Sequence, residues 1–244
     1  TPVKTFLADF KLVHRRSLAF AASLPIIAAI PLVAEFIQHV IEMRVGMYDG
    51  IDGATLAERH PDRLLSGFAK TIALGLPAYF LIRWLHSGGD SRFAARFERP
   101  AAALFALVIA LQALLSWLGL FVWTEGPMAI GFFVFYLLFM PLVVRFVVAA
   151  PLGRFISPAQ SIRSMLPRAF YAILFSLAAM LPLMALHYAL GISAIFVGSE
   201  TVKWAMLAFD SLVTAWLALV IIASQYVIAL RPGPIVDEPR AVAA

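Results

Sequence analysis

Three residues with metal- or proton-binding chemistry lie close together in the stretch AEFIQHVIEMR, residues 34–44. The spacing of Glu35, His39 and Glu42 places all three side chains on one face of a helix. Carboxylate and imidazole groups on successive turns could bind a metal ion or carry a proton. The plainer interpretation is a solvated or interface-packed helix end in which Glu42 or His39 pairs with Arg44. The pattern occurs once in the sequence, so both interpretations stay open.

Other polar residues are predicted at the same depth, in the outer leaflet of a membrane. Lys70 begins the second apolar run, His187 lies near the end of the fifth, and Asp210 lies about two turns into the sixth. An aspartate in hydrocarbon needs a partner, and Lys70 is the natural candidate. Alternatively, His39 and His187 could both reach one haem iron or one quinol. The predicted polar outer-leaflet cluster therefore consists of Glu35, His39, Glu42, Lys70, His187 and Asp210.

The last apolar run carries a polar stripe. Asp210, Thr214 and Gln225 fall near one helical face, with Ala218 and Ile221 between them. Such a stripe fits a hydrogen-bonded clamp between helices. It also fits a pathway for protons or a substrate.

The sequence lacks the motifs of several enzyme classes. It contains no cysteine, which excludes disulfides and thiolate metal sites. It has no Gly-rich phosphate loop, no His-Glu-x-x-His and no Gly-x-Ser-x-Gly. We therefore expect a non-catalytic protein without a cofactor. The one metal candidate is the trio Glu35, His39 and Glu42.

The composition predicts a protein that has lipid as its main solvent. The chain of 244 residues is 62% hydrophobic and 14% charged, with a mean hydropathy of +0.91. Soluble domains carry about 25% charged residues and about 45–50% apolar residues. The apolar runs are continuous rather than alternating, which favours helices over barrel strands. We predict an all-α, polytopic integral membrane protein.

Six transmembrane helices are predicted, together forming a single domain over residues 1–230. Their ranges are 18–37, 68–84, 101–122, 128–148, 169–190 and 202–230. In the second, the charge-free core at 71–82 is short. Lys70 and Arg83 are therefore expected to snorkel to opposite surfaces.

The distribution of basic residues predicts the orientation. With both termini in the cytoplasm, fourteen of the 19 lysines and arginines lie on the cytoplasmic side. This is the positive-inside pattern of a bacterial inner-membrane protein. The overall net charge of +5 then reflects sidedness, and we predict no nucleic-acid partner. Anionic lipid headgroups are the expected partners of Arg15, Arg16, Arg92, Arg96, Arg99, Arg154, Arg163 and Arg168.

Two cytoplasmic segments, 1–16 and 157–168, are predicted to be interfacial amphipathic helices. Each begins with a hydroxyl residue and a proline, as helices often do. Each leads into a span that carries a Leu-Pro pair, which hints at a repeated unit. Residues 38–67 are predicted to form an outer loop, and residues 231–244 a flexible cytoplasmic tail.

One segment carries a family resemblance. VVRFVVAAPLGRFISPAQSIRSMLPRAFYAILFSLAAMLP resembles six-span bacterial membrane domains related to the membrane domain of glycerophosphodiester phosphodiesterases. The stretch FKLVHRRSLAFAASLPIIAAIP is similar in the same way. Because the sequence contains no phosphodiesterase domain, the resemblance implies only a small all-helical inner-membrane domain.

Three functions follow as hypotheses. The first is an accessory or assembly subunit that packs against a larger membrane complex, for which respiratory or photosynthetic machinery is one candidate host. The second is a small transporter or channel with a polar path near Asp210 and Lys70. The third is a protein that binds anionic lipids. Short loops and the missing catalytic motifs favour the first.

Overall fold

The computed structural model describes residues 2–235. Within that range every regular element is helical, which confirms the predicted all-α class. The α-helices are α1 (Pro2–Ser23), α2 (Pro25–Arg44), α3 (Gly50–Ala57), α4 (Pro61–Gly75), α5 (Ala78–His86), α6 (Ser91–Ala95), α7 (Arg99–Trp117), α8 (Gly126–Phe139), α9 (Val144–Ala149), α10 (Pro158–Met165), α11 (Ala169–Phe196) and α12 (Glu200–Ala229).

Five helical segments in the described range are long and apolar enough to cross a membrane, judged by length and composition. A sixth is added if one bent pair, α8 and α9, counts as a single span. The five segments are Pro25–Arg44, Pro61–His86, Arg99–Val122, Pro158–Phe196 and Glu200–Ala229. The length and composition of these helices therefore agree with the predicted multi-pass helical protein.

The first helix break differs from the prediction. α1 continues to Ser23, past the predicted end of the interfacial helix at residue 16, and the membrane-length helix α2 starts at Pro25 rather than at residue 18. Proline has no amide hydrogen and is favoured at the first helical position, so it begins a new helix here. The related pair Leu181-Pro182 behaves differently, because Pro182 lies inside the continuous helix α11.

The predicted outer loop, residues 38–67, is mostly helical. It contains the end of α2, the whole of α3 and the start of α4. His60 caps α4 by accepting a hydrogen bond from the amide of Asp62, and Pro61 is the first helical residue. The second membrane-length segment consequently runs over Pro61–His86, longer than the predicted 68–84.

The predicted fourth span, 128–148, is broken. α8 and the segment Val144–Leu152 meet at 62° across a turn that contains Pro141. A break frees backbone groups that need new partners. Ser161 on α10 is the partner of one such group, because its hydroxyl donates to the carbonyl of Leu142 at 2.8 Å.

The predicted helix at 157–168 forms, with the expected cap. Ser157 accepts from the amide of Gln160, and the Gln160 side chain accepts from the amide of Ser157. α10 then joins α11 through one turn of 3₁₀-helix, Leu166–Arg168. Together they form the continuous segment Pro158–Phe196.

The core centres on α12. This helix packs against α1, α2, α5, α9 and α11, and most of its residues from Asp210 onward are buried. Its C-terminus is held by Arg145, which donates to the carbonyls of Ala229 and Gly233, both at 2.9 Å. The start of the predicted tail is thus anchored, and residues 236–244 lie outside the described range.

Candidate functional site

The six polar residues predicted from the sequence meet in one cluster, contributed by four helices, in which four residues are buried and Lys70 and His187 are half-buried. Glu35, His39 and Glu42 come from the second half of α2. Lys70 comes from α4, His187 from α11 and Asp210 from α12. Asp210 is 0% exposed, Glu35 1% and His39 3%. The end of α2 is therefore packed inside the protein, and the interpretation as a solvated helix end is wrong.

His39 is the centre of the cluster because three carboxylates surround its ring. Its Nε2 atom lies 3.1 Å from Oδ2 of Asp210 and 3.5 Å from Oε1 of Glu35. Its Nδ1 atom lies 3.1 Å from Oε2 of Glu42. A helix places residues three and four positions apart on the same face, so Glu35 and Glu42 flank His39 from within α2. The third carboxylate arrives only when α12 packs against α2.

Glu42 is the most heavily hydrogen-bonded of the acids. The phenol of Tyr48 donates to Oε2 at 2.8 Å, the amide of Gln38 donates to Oε1 at 2.9 Å, and Nε of Arg63 donates to Oε1 at 3.1 Å. The predicted pairing of Glu42 or His39 with Arg44 is therefore wrong, because Arg63 is the arginine that α4 brings to this carboxylate.

Tyr48 closes the cluster from the turn that follows α2. Burial raises the pKa of Tyr48 above its ordinary value of 10.0, and the charge of the adjacent Glu42 carboxylate raises it further. The phenol thus stays protonated and donates to Glu42. Lys203, at the start of α12, donates to the backbone carbonyl of Tyr48 and so ties this turn to α12.

Lys70 pairs with Glu35, not with Asp210 as the sequence predicted. Its Nζ atom lies 3.2 Å from Oε1 and 3.1 Å from Oε2 of Glu35. α4 packs along α2, which brings these two side chains together. Lys70 therefore does not simply snorkel to a membrane surface, because a buried carboxylate neutralises its charge.

Asp210 pairs with two histidines. Nδ1 of His187 lies 2.9 Å from both carboxylate oxygens, and the hydroxyl of Thr214 lies 3.1 Å from the same nitrogen. His39 approaches Oδ2 from the opposite helix. Asp210 therefore bridges His39 and His187, which the sequence predicted to lie at the same depth in the membrane.

The charges of the cluster balance only if it also holds a proton. Glu35, Glu42 and Asp210 bring three negative charges when ionised, whereas Lys70 and Arg63 bring two positive charges. Uncompensated charge is costly in a buried site. One proton on the two imidazoles makes the cluster neutral, and histidine is the side chain that most readily gains or loses one.

The ligand atoms that could hold a metal ion are not those of the predicted trio. One atom each from Glu35, His39 and Asp210 lie within 4.8 Å of one another. Glu42 is replaced in this set by Asp210. The ammonium of Lys70 lies against Glu35, so any metal ion would compete with that charge for the same carboxylate.

Arg83 occupies a second buried polar site, and the expectation that it snorkels is wrong. Only 1% of its surface is exposed. Its guanidinium donates to the carbonyls of Pro151 and Phe93 at 3.1 and 3.2 Å, and to Glu98 at 2.8 Å. Its hydrogen bond to Glu98 lowers the pKa of that carboxyl. Arg83 thus fastens α5 to the segments around α6 and α9.

The arginines predicted to contact lipid headgroups lie outside the core. All of them are exposed except Arg16, which is half-buried with its guanidinium 5.7 Å from the ring centre of Trp84. The exposed members are Arg15, Arg92, Arg96, Arg99, Arg154, Arg163 and Arg168. They are free to contact a charged surface.

Sequence reasoning missed Tyr48 and Arg63, because both were assigned to the outer loop. The signal for Arg63 was present in His60-Pro61-Asp62, a typical helix start that places Arg63 in the first turn of α4. Tyr48 follows a turn and carries no periodic signal. Its position beside Glu42 depends on the path of the chain after α2.

No known protein family, curated protein or solved structure matches this chain at a significant level. The resemblance to the phosphodiesterase-associated membrane domains therefore stays a prediction.

Proposed function

We propose that this chain is a non-catalytic, multi-pass protein of a bacterial inner membrane in which the buried cluster is a proton-binding step on a polar path. The observation that carries the proposal is the group of three buried carboxylates around His39, with fewer fixed positive charges than negative ones. Ionisable residues inside membrane segments are costly, and they commonly mark ion or substrate pathways.

The arrangement of Asp210 supports a relay rather than a simple clamp. A clamp needs one partner for each charge, as Lys70 provides for Glu35. Asp210 instead contacts two imidazoles on different helices, at 3.1 and 2.9 Å. A proton on either ring keeps this carboxylate paired. When Nε2 of His187 binds a proton, Nδ1 can pass its own hydrogen to Asp210, and Asp210 can pass one to Nε2 of His39, which leaves the aspartate ionised again.

The orientation and lipid contacts predicted from the sequence are part of this proposal. We place both termini in the cytoplasm, since the exposed arginines then face the anionic leaflet. A lipid-binding role predicts that neutralising Arg163 and Arg168 reduces copurified anionic lipid. Unchanged lipid content would argue against it.

A direct test of the proton role is flux into liposomes. The purified protein is reconstituted with a pH-sensitive dye inside, and an imposed membrane potential drives protons inward. We expect the wild-type protein to acidify the lumen and Asp210→Asn to abolish the signal. Asp52→Asn is the matched control, because Asp52 is exposed on α3. Equal flux in wild type and Asp210→Asn, with both correctly folded, would refute the proposal.

An accessory-subunit role is the second candidate, and helix α8 favours it. None of the residues of α8 is buried within this chain, although the helix is strongly apolar. Lipid or a partner subunit can cover this surface, and only a partner changes the composition of the extracted particle. The test is the mass and composition of the particle extracted from its own membranes in mild detergent. A particle containing this chain alone would remove the support for a subunit role.

A further inference from the structure

A cavity of about 570 Å³ lies directly beside the buried cluster. α4, α7, α11 and α12 form most of its wall, and residues of α8 and α9 line the remaining side. Its volume lies within the range of small-molecule sites, roughly 300–1,000 Å³. The lining is mainly apolar, so the cavity suits a molecule that partitions into the membrane.

The shape of the cavity follows from the residues that α12 contributes. Thr214, Ala218, Ile221 and Gln225 all line it and lie along one stripe of the helix. With a rise of 1.5 Å per residue, Thr214 and Gln225 are separated by about 16 Å. An occupant is therefore elongated, with its length parallel to α12.

The end of the cavity near Thr214 is polar. Lys70, His187 and Thr214 line it there, and the charge of Lys70 is matched by Glu35. An anionic headgroup would consequently gain little, whereas a neutral hydrogen-bonding group would fit. This end therefore selects for a polar but uncharged head.

His187 supplies the acceptor. Its hydrogen bonds to Asp210 and Thr214 both involve Nδ1. With Nδ1 carrying the hydrogen toward the carboxylate, Nε2 of the neutral ring is left with an available lone pair. A hydroxyl is the neutral group that donates to such a nitrogen.

We propose that this cavity binds a membrane-soluble molecule with a long apolar body and a hydroxyl head, of the quinol type, whose hydroxyl donates to Nε2 of His187. This inference rests on the proposed function in one respect, since His187 belongs to the proton-binding cluster. It adds the chemical class of the ligand and the residue that recognises its head.

The experiment measures equilibrium binding of radiolabelled decylubiquinol to the full chain in lipid nanodiscs. Two competitors are compared on the wild-type protein, so the result depends on no variant. Decylubiquinone has the same body without hydroxyl donors, and a plain alkane has the apolar body alone. One additional hydrogen bond corresponds to about a tenfold difference in affinity. We expect the quinol to bind about tenfold more tightly than the quinone, and more tightly still than the alkane.

Three variants locate the site. His187→Phe should weaken quinol binding about tenfold and leave alkane binding unchanged. His60→Asn is the control that should leave quinol binding unchanged, because it removes an imidazole outside the cavity and keeps the N-cap of α4. Ala218→Phe fills the middle of the cavity and should abolish binding of all three probes.

Equal affinity for quinol, quinone and alkane would overturn the inference, as would full quinol binding by His187→Phe or by Ala218→Phe. Failure of the proposed function is distinguishable, because proton flux is measured without any quinol. Quinol selectivity without Asp210-dependent flux would refute the relay only. Asp210-dependent flux without quinol selectivity would refute the ligand only.

Discussion

Nε2 of His39 on α2 lies 3.1 Å from Oδ2 of Asp210 on α12, although the two residues are 171 positions apart in the sequence. This contact joins the first membrane-length helix of the described chain to the last one. It also completes the ring of carboxylates around His39. The stability of the helix packing and the chemistry of the cluster therefore depend on the same pair.

Replacing Asp210 should destabilise the fold strongly. Asp210→Ala removes the carboxylate that both histidines contact, and breaking a buried pair costs about 3–5 kcal/mol of unfolding free energy. The measurement is denaturation in mixed detergent micelles followed by circular dichroism. Asp52→Ala, at an exposed position in the first turn of α3, should cost less than about 1 kcal/mol. Similar losses in both variants would show that the cluster does not stabilise the packing of α12.

The ion pair between Glu35 and Lys70 should show strong coupling in a double-mutant cycle. Glu35→Gln or Lys70→Met leaves one buried charge without its partner, whereas the double variant removes both charges. We expect a coupling energy of about 1–3 kcal/mol, in the upper part of the range for contacting residues. Arg59 and Glu125 form an exposed ion pair that serves as the control, with a coupling of about 1 kcal/mol or less. A cycle for Glu35 and Lys70 no stronger than this control would contradict the assignment.

Arg83 should be essential for the packing of α5. Arg83→Met leaves two carbonyls without their donor and Glu98, which is partly exposed, without its partner, so the free energy of unfolding should fall by about 1–3 kcal/mol. Arg92→Met, at an exposed arginine on α6, should change it by only about 0.5 kcal/mol. Thermal denaturation in detergent compares the two. Equal melting temperatures of Arg83→Met and Arg92→Met would contradict the burial of the Arg83 side chain.

His14 on α1 should make the protein less stable in mild acid. Burial lowers the pKa of His14 below its ordinary value of 6.5. As the pH falls below about 6.5, the unfolded chain binds a proton at this site before the folded chain does, so stability decreases. The stabilising contribution is complete above this pH and is lost as the pH falls toward the pKa of the folded state.

The measurement is the melting temperature in detergent between pH 5 and pH 8, for wild type and His14→Phe. Phenylalanine suits the aromatic surroundings, since Phe10 and Trp216 lie 4.5 and 5.6 Å away between ring centres. We expect the variant to lose less stability in acid than the wild type. Parallel pH profiles of His14→Phe and wild type would contradict the prediction.

Local rules predicted much of the fold because they act within one helix. The continuous apolar runs fixed the helical class, and Ser157 with Gln160 formed the cap expected from their spacing. The positions of Glu35, His39 and Glu42 on one face of α2 follow from helix geometry alone. Breaks were less predictable, since Pro25 starts a helix while Pro182 lies inside one. Packing around a proline decides between these outcomes.

The sequence by itself determined which residues carry chemistry and at what depth along the helices they lie. Only the tertiary structure decided their partners. Lys70 could have paired with Asp210 or with Glu35, because the sequence predicts all three residues at the same depth in the membrane. The packing of α4 along α2 selects Glu35, and the packing of α11 and α2 on α12 gives Asp210 to the histidines. Pairing depends on which helix faces meet, and no local pattern of residues specifies those faces.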